Sequence, residues 1–316
     1  MLTHTSPRAY IKTMKHLFLL FILIASSARS QQLDREQVIF LTQEWKGERY
    51  ADGRPKVPDA LLKRMKNVST EEAWGILRNK GFNNQFAGDW FRLRDDEPFV
   101  GRALTAQYMP LRPDLQARMA EKGKKEGRVG PMNSWPIDML QKGDVYVADC
   151  FEKIKDGTLI GDNLGNSIYT KTGTGVVFDA AARDIDGIGA IAGFNVYVRG
   201  WHPSFLSETM LMGINHPLII GEVTVLPGDV VLARKEGVVF IPAHLAEEVI
   251  INAEFIQLRD KFAITKLKAG VYTPGQIDTA WTNEIKKDFL KWVKENPGLV
   301  PLTMEELEKF MKERTW

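Results

Sequence analysis

Gly161-Asp162-Asn163-Leu164-Gly165 opens a helix-compatible stretch over 163–171. Gly175-Val176-Val177-Phe178-Asp179 then reads as a buried strand that runs out into Ala182-Arg183-Asp184-Ile185-Asp186. A glycine turn entering a helix, a β-branched run and a second helix-compatible stretch over 185–192 form the alternation of an α/β domain. Working outward, short β-branched runs punctuated by Gly and Pro predict strands over 101–108, 144–149, 175–178, 194–198, 217–220, 229–232 and 238–241. Helix-compatible stretches over 113–122 and 244–268 interrupt them, so the expected fold class is α/β and not an all-β sandwich.

The flanks differ in texture. Residues 31–98 read as helical and charged, with amphipathic spacing over 33–45 and 58–67 and an N-cap pattern, Ser69-Thr70-Glu71-Glu72, opening a helix through Leu77. From Thr273 the chain reads as a charged helical pair, broken at Pro297 and Pro301 and restarted by Thr303-Met304-Glu305-Glu306. At the beginning, Lys15 and His16 precede an apolar run over 17–25, too short to span a bilayer, followed by Ala28-Arg29-Ser30. That is the pattern of a cleavable signal peptide: it reads most cleanly from Met14, predicts a mature start near Gln31, and implies a secreted or periplasmic protein.

Composition narrows the function. The 316 residues are 44% hydrophobic and 26% charged, enough for a sizeable core. The formal charge of +2 includes Arg8, Lys12, Lys15 and Arg29 and no acid from the first thirty residues; without them the balance is −2. A near-neutral chain without a basic stripe lacks the footprint of a nucleic-acid binder. Cys150 stands alone, which excludes an intramolecular disulfide, and its place at the end of an apolar stretch reads as a small buried hydrophobe. The histidines of the predicted mature chain, His202, His216 and His244, have no i,i+4 spacing, so a metal would be held largely by carboxylates. Gly187-Ile188-Gly189-Ala190-Ile191-Ala192 matches a dinucleotide pattern in letters, but it follows Arg183-Asp184-Ile185-Asp186 and not a strand, and reads as a Gly-rich helix. No GK[ST] loop, GxSxG elbow or HExxH occurs.

The chemistry concentrates at element ends. Asp162 lies where a glycine turn enters a helix, whose free N–H groups suit a substrate carboxylate. Arg183 and Asp184 leave a buried strand, where side chains meet in the ligand crevice of an α/β domain. Guanidinium beside carboxylate suits an oxyanion clamp next to Mg²⁺ or Mn²⁺; the plain alternative is a surface pair capping the next helix.

From residue 99 to about 246 the chain resembles the RraA-like family (regulator of ribonuclease activity A), which includes metal-dependent 4-hydroxy-4-methyl-2-oxoglutarate/4-carboxy-4-hydroxy-2-oxoadipate aldolases. The resemblance runs colinearly through Gly101-Arg102-Ala103-Leu104-Thr105-Ala106, Gly161 to Gly165, Val177 to Asp186, Val198-Arg199-Gly200-Trp201-His202-Pro203, Asn215-His216-Pro217, Gly221 to Asp229 and Glu236 to Pro242. Asp162 and Arg183-Asp184 match the aldolase signature D-x20-R-D. The resemblance implies that Asp184 anchors the divalent metal, Asp162 orients a water on it, Arg183 stabilises a pyruvate enolate, and the backbone N–H groups of Asn163 and Leu164 hold the substrate carboxylate. It further implies a swivelling β/β/α fold, a homotrimer or hexamer with sites between subunits, and a class II lyase acting on a 2-oxo acid, with oxaloacetate decarboxylation accessible to the same site. Two departures concern the substrate: Arg234-Lys235 replaces the usual acidic residue after its strand, and Ala180 replaces the usual glycine. Glu254 and Asp260 are the candidates for the acidic residue that one subunit lends another.

The expected organisation is a signal peptide over 1–30, a helical segment over 31–98, the RraA-like domain over 99–270 and a helical tail over 271–316. The alternative function is a non-catalytic binding or regulatory protein of the ribonuclease-inhibitor kind. Export and the retention of Asp162, Arg183 and Asp184 argue against it. Methyl transfer, a label common in the family, finds no Gly-rich S-adenosylmethionine loop here.

Overall fold

A computed structural model describes residues 32–299 together with Glu305, Leu307 and Phe310. The predicted signal peptide, the start near Gln31 and the cap at Thr303 lie outside the described residues. Along the chain come α1 (Arg35–Leu41), α2 (Asp59–Met65), α3 (Thr70–Asn79), β1 (Phe86–Ala87), β2 (Phe91–Arg92), β3 (Phe99–Pro110), α4 (Pro113–Lys125), α5 (Trp135–Met139) and β4 (Asp144–Thr158). They are followed by α6 (Asp162–Thr172), β5 (Val176–Ala182), α7 (Ile185–Gly189), β6 (Val196–Trp201), β7 (Thr209–Ile214), β8 (Leu218–Ile220), β9 (Val223–Val225), β10 (Val230–Arg234) and β11 (Gly237–Ile241). Three helices close the described chain: α8 (Ala246–Lys268), α9 (Pro274–Ile277) and α10 (Asn283–Glu295).

The main sheet runs β1-β11-β10-β3-β4-β5-β6-β2, with β7 pairing the far end of β3. Its centre, β3 to β6, is parallel, and β10 and β11 add antiparallel to β3. The fold is mixed α/β, as expected. Strand alternation sorts the core: Tyr146 and Ala148 face the layer of α5, α6 and α7, whereas Val145 and Val147 face the β8–β9 hairpin. On the antiparallel side Val230 and Leu232 pack against α2, α3 and α8. All seven residues of β5 are buried, because a central parallel strand is covered on both faces.

The segment over 31–98 is less purely helical than its charge pattern suggests. α3 carries the expected capping box between Ser69 and Glu72, but β1 pairs with β11 and β2 with β6, so the segment also supplies both edges of the main sheet's strand order. It enters the core through Arg54, which is fully buried between Asp52 (2.8 Å) and Asp144 (3.0 Å), while Arg102 reaches back to Asp59 and to Val57 O. β4 continues nine residues past the predicted end at Asp149, since positive φ at Phe151 and Glu152 bulges the strand without ending it. β7 was not foreseen; its Thr-Met-Leu-Met-Gly-Ile run lacks the β-branched signature. At the C-terminal end Phe255, Phe262, Trp281 and Phe289 bind α8 and α10 into a separate aromatic core that also buries Leu307. Among the described residues no helix is long and apolar enough to cross a membrane.

Candidate active site

β4 turns through Leu159-Ile160-Gly161 into α6, and β5 turns through Arg183-Asp184 into α7. The two exits are stitched together: Leu159 N–H donates to Ala181 O (3.0 Å) and Arg183 N–H to Ile160 O (3.1 Å). The start of α6 therefore lies beside the start of α7. Two glycines make this approach possible. A β-carbon on Gly161 would collide with Asp184 Oδ2 and stand 3.1 Å from Arg183 Nε, and one on Gly187 would stand 2.7 Å from Asp162 Cβ. Each glycine clears space for an acidic side chain of the opposite turn. The sequence pattern at 187–192 thus has a packing explanation: α7 is a short helix whose glycine admits Asp162.

The adjoining turns place Asp162 at the start of α6 and Arg183 and Asp184 at the start of α7. Asp184 caps α7 in the left-handed region (φ 57°, ψ 49°), with no side-chain hydrogen bond to the helix it precedes. A non-glycine residue held there by its surroundings carries strain of the kind that clusters at functional sites. Its carboxylate is 42% exposed, and Arg183 is 32% exposed with Nε 3.5 Å from Asp184 Oδ2, longer than a hydrogen bond. Asn163 and Leu164 lie in the first turn of α6. Asn163 N–H donates to Asp162 Oδ1 (2.8 Å), and Gly165 N–H is bonded to Gly161 O (2.9 Å). A substrate carboxylate at Asn163 would thus exchange with the Asp162 side chain.

The donor set determines which metal could fit. Among the described residues no three His, Cys, Asp or Glu side chains gather as a cage. What the site provides is Asp184 seated against Gly161 at the start of α6, and Asp162 seated against Gly187 of α7. One or two carboxylates beside open solvent suit a hard, largely hydrated cation such as Mg²⁺ or Mn²⁺ and not a thiolate- or imidazole-loving one.

Sequence reasoning missed Phe205, whose ring centroid lies 4.7 Å from Arg183 Cζ. The only signal available was an aromatic residue just after the quoted Trp201-His202-Pro203. Other candidates have structural duties. Glu254 receives two hydrogen bonds from Arg64 (2.9 and 2.6 Å), and Arg234, which stands near the family's missing acidic residue, donates to Lys66 O and Val68 O. Burial pushes the Cys150 thiol up to about 12, which agrees with an inert core position.

Comparison with known proteins gives the family and the fold. The sequence model of the RraA-like family, described as Aldolase/RraA, matches residues 57–240, more than half of the chain. A protein of Halalkalibacterium halodurans, named provisionally as 4-hydroxy-4-methyl-2-oxoglutarate aldolase, is 32% identical over 123 residues, covering 38% of this chain and 56% of that protein. Protein DlpA of Legionella pneumophila is 28% identical over 172 residues, covering 54% of this chain and 26% of its own length, so the chain spans about a quarter of that relative. Among solved structures, an unusual Streptomyces coelicolor member of the RNase ES inhibitor RraA protein family superposes with a TM-score of 0.58 at 24% identity, over 67% of this chain and all of the other. An uncharacterized Pseudomonas syringae protein reaches 0.60 at 22% identity, over 74% and 98%. These two likenesses establish the fold, and the match over 57–240 establishes the lineage: the chain belongs to the RraA-like family.

Proposed function

We propose that this protein is a divalent-metal-dependent carbon–carbon lyase that cleaves a 4-hydroxy-2-oxo acid to pyruvate and a carbonyl compound, and that the same site decarboxylates oxaloacetate. The observation that supports the reading is that the two adjoining turns carry Asp162, Arg183 and Asp184, each acid seated against a glycine of the opposite turn and the Arg183–Asp184 pair partly exposed. Asp184, with Asp162 facing it, would hold Mg²⁺ or Mn²⁺. The bound cation would polarise the 2-oxo group and share the charge that develops there.

The residues of the chain do the rest. Asp162, poised at the helix end, takes the C4 hydroxyl proton directly or through water. The C3–C4 bond breaks, the electron pair moves to C3, and pyruvate enolate forms as the carbonyl product leaves. Arg183, whose guanidinium makes no hydrogen bond to another described residue, would donate its terminal N–H groups to the enolate oxygen, where negative charge develops. Return of a proton to C3 completes pyruvate. The first-turn N–H groups at Asn163 and Leu164 face the substrate carboxylate at the positive end of α6. Homotrimers or hexamers with sites between copies, and export after cleavage near Gln31, complete the proposal.

The test is pyruvate release from 4-hydroxy-4-methyl-2-oxoglutarate and from oxaloacetate by purified protein, with Mg²⁺, Mn²⁺ or EDTA. Turnover with either metal that EDTA abolishes supports the reading. Silence with both substrates in every condition contradicts it and moves the assignment to a binding role. N-terminal sequencing of the expressed protein checks the leader; an intact Met1 or Met14 in the mature protein would remove export.

A further inference from the structure

Arg183, like Arg78 over Trp74, meets a ring face without a side-chain hydrogen bond among the described residues. Arg49, Arg54, Arg64, Arg94, Arg102, Arg199 and Arg234 each donate side-chain hydrogen bonds that fix the guanidinium. The guanidinium of Arg183 makes none among the described residues; its ion pair with Asp184 is 3.5 Å long. What restrains its plane is a face, the ring of Phe205 with its centroid 4.7 Å from Cζ. Phe205 is itself 70% exposed, so burial does not explain its placement.

The loop that carries it is anchored with care. His202 N–H donates to Ala182 O (3.1 Å), the residue before Arg183, and His202 Nδ1 meets Ser204 Oγ at 2.9 Å. Asp156 N–H donates to Ser204 Oγ (2.6 Å), Thr158 Oγ1 donates to Ser204 O (2.5 Å), and Ser207 N–H donates to Asp156 O (2.9 Å). Ser204 is thereby tied through its side chain and its carbonyl to the end of β4, and Ser207 ties the far side of the loop. Between them lie Phe205 and Leu206, of which Leu206 packs against the core and Phe205 stands exposed. A loop bonded this fully around one exposed aromatic fixes where that ring stands.

We propose that Phe205 is a positioning residue for Arg183, a platform that orients the guanidinium plane through its π-face while Nε faces Asp184 and the terminal N–H donors stay open to the substrate oxygen. This rests on the lyase reading, and it deepens that reading. A hydrogen-bonding partner would fix Arg183 equally well but would occupy donors that the developing enolate needs; a ring restrains the cation without competing for them. An aromatic face is therefore required, and apolar bulk alone is not a substitute.

The experiment compares Phe205→Ala, Phe205→Leu and Phe205→Trp with wild type, in two readouts. The first is the rate of phenylglyoxal adduct formation at Arg183, followed by peptide mass spectrometry. The second is oxaloacetate turnover with Mg²⁺, with kcat and KM separated. The Ala and Leu variants are expected to label Arg183 several-fold faster and to lose between about twofold and about thirtyfold in kcat, with KM changed little. Phe205→Trp is expected to restore both. Leu behaving as wild type would reduce the role to bulk and overturn the proposal. So would an unchanged Ala variant, or a changed particle mass with unaltered labelling, which would assign Phe205 to packing between copies. If wild type turns over no substrate, the lyase reading fails by itself, and the labelling at Arg183 still reports whether the stack exists.

Discussion

Two arginine–aspartate pairs lie on or just beyond β5, and each has an aromatic ring over its guanidinium. Arg199 on β6 meets Asp179 on β5 at 2.7 Å, stacks on Trp90 at 3.8 Å, and donates further to Gly88 O and Asp89 O. Both side chains are largely buried, 13% and 7% exposed. Arg183 and Asp184, just beyond the end of β5, share a contact of 3.5 Å under Phe205, are 32% and 42% exposed, and the guanidinium makes no hydrogen bond to another described residue. Residue types are the same and duties are opposite. The closed pair ties the turn before β2 to the sheet; the open pair makes no side-chain hydrogen bond among the described residues.

The largest effect that can break this comparison is on activity. Asp184→Ala and Arg183→Ala are each expected to lower kcat/KM for metal-dependent pyruvate formation by about 10²-fold or more, the scale of losing one electrostatic stabiliser. Both should leave the melting temperature within a few degrees of wild type, read by calorimetry. A large melting shift in either would make the open pair structural.

Arg199→Ala should do the reverse. It strands Asp179 among buried neighbours and is expected to destabilise the fold by about 3 kcal/mol or more, measured by urea unfolding. Burial already outweighs Arg199 and holds the Asp179 carboxyl above the usual range, so adding Asp179→Asn to Arg199→Ala should recover part of the loss. Near-normal stability of Arg199→Ala would erase the distinction between the pairs.

Gly161→Ala sharpens the comparison. Its methyl displaces the exposed Asp184 carboxylate and leaves the buried pair untouched, so activity should fall by up to about 10²-fold, the scale of an ångström-sized misplacement. The stability loss should be smaller than that of Arg199→Ala.

The smallest effect is one of pH. Complete burial pushes the Asp229 carboxyl up from 3.8 to about 7, against backbone hydrogen bonds from Leu226 and Ala243 that lower it. Between these values the folded state holds a proton that the unfolded chain releases, so this group's contribution is present in acid and lost as pH rises toward about 7. The melting temperature of wild type relative to Asp229→Asn should therefore fall from pH 4 to pH 7; a flat difference would exclude Asp229 from the pH response.

Much of this was legible in the residues. The glycine–acid turn at Gly161-Asp162, the buried run into Arg183-Asp184 and their spacing put three candidate residues and the α/β class on the page before any coordinates. Long-range partnership was not legible. Nothing local says that Gly161 is small because Asp184 occupies its flank, that Arg54 enters the core from a charged segment, or that β1 and β2 close sheet edges with two residues each. Phe205 escaped for the same reason: an exposed aromatic in a loop signals nothing until the loop's bonds to Asp156, Thr158 and Ala182 place it over an arginine. β7 escaped because methionine and glycine carry little strand preference.

The central claim is that the open pair stabilises a pyruvate enolate, and exchange of the pyruvate methyl protons in D₂O reads that intermediate without any need to know the natural substrate. Proton NMR of pyruvate with Mg²⁺ and wild-type protein is predicted to show methyl signal loss well above the metal-only rate, and Arg183→Ala and Asp184→Ala should reduce it to that rate. Exchange no faster than the metal-only control, or exchange that survives intact in both variants, would contradict the account.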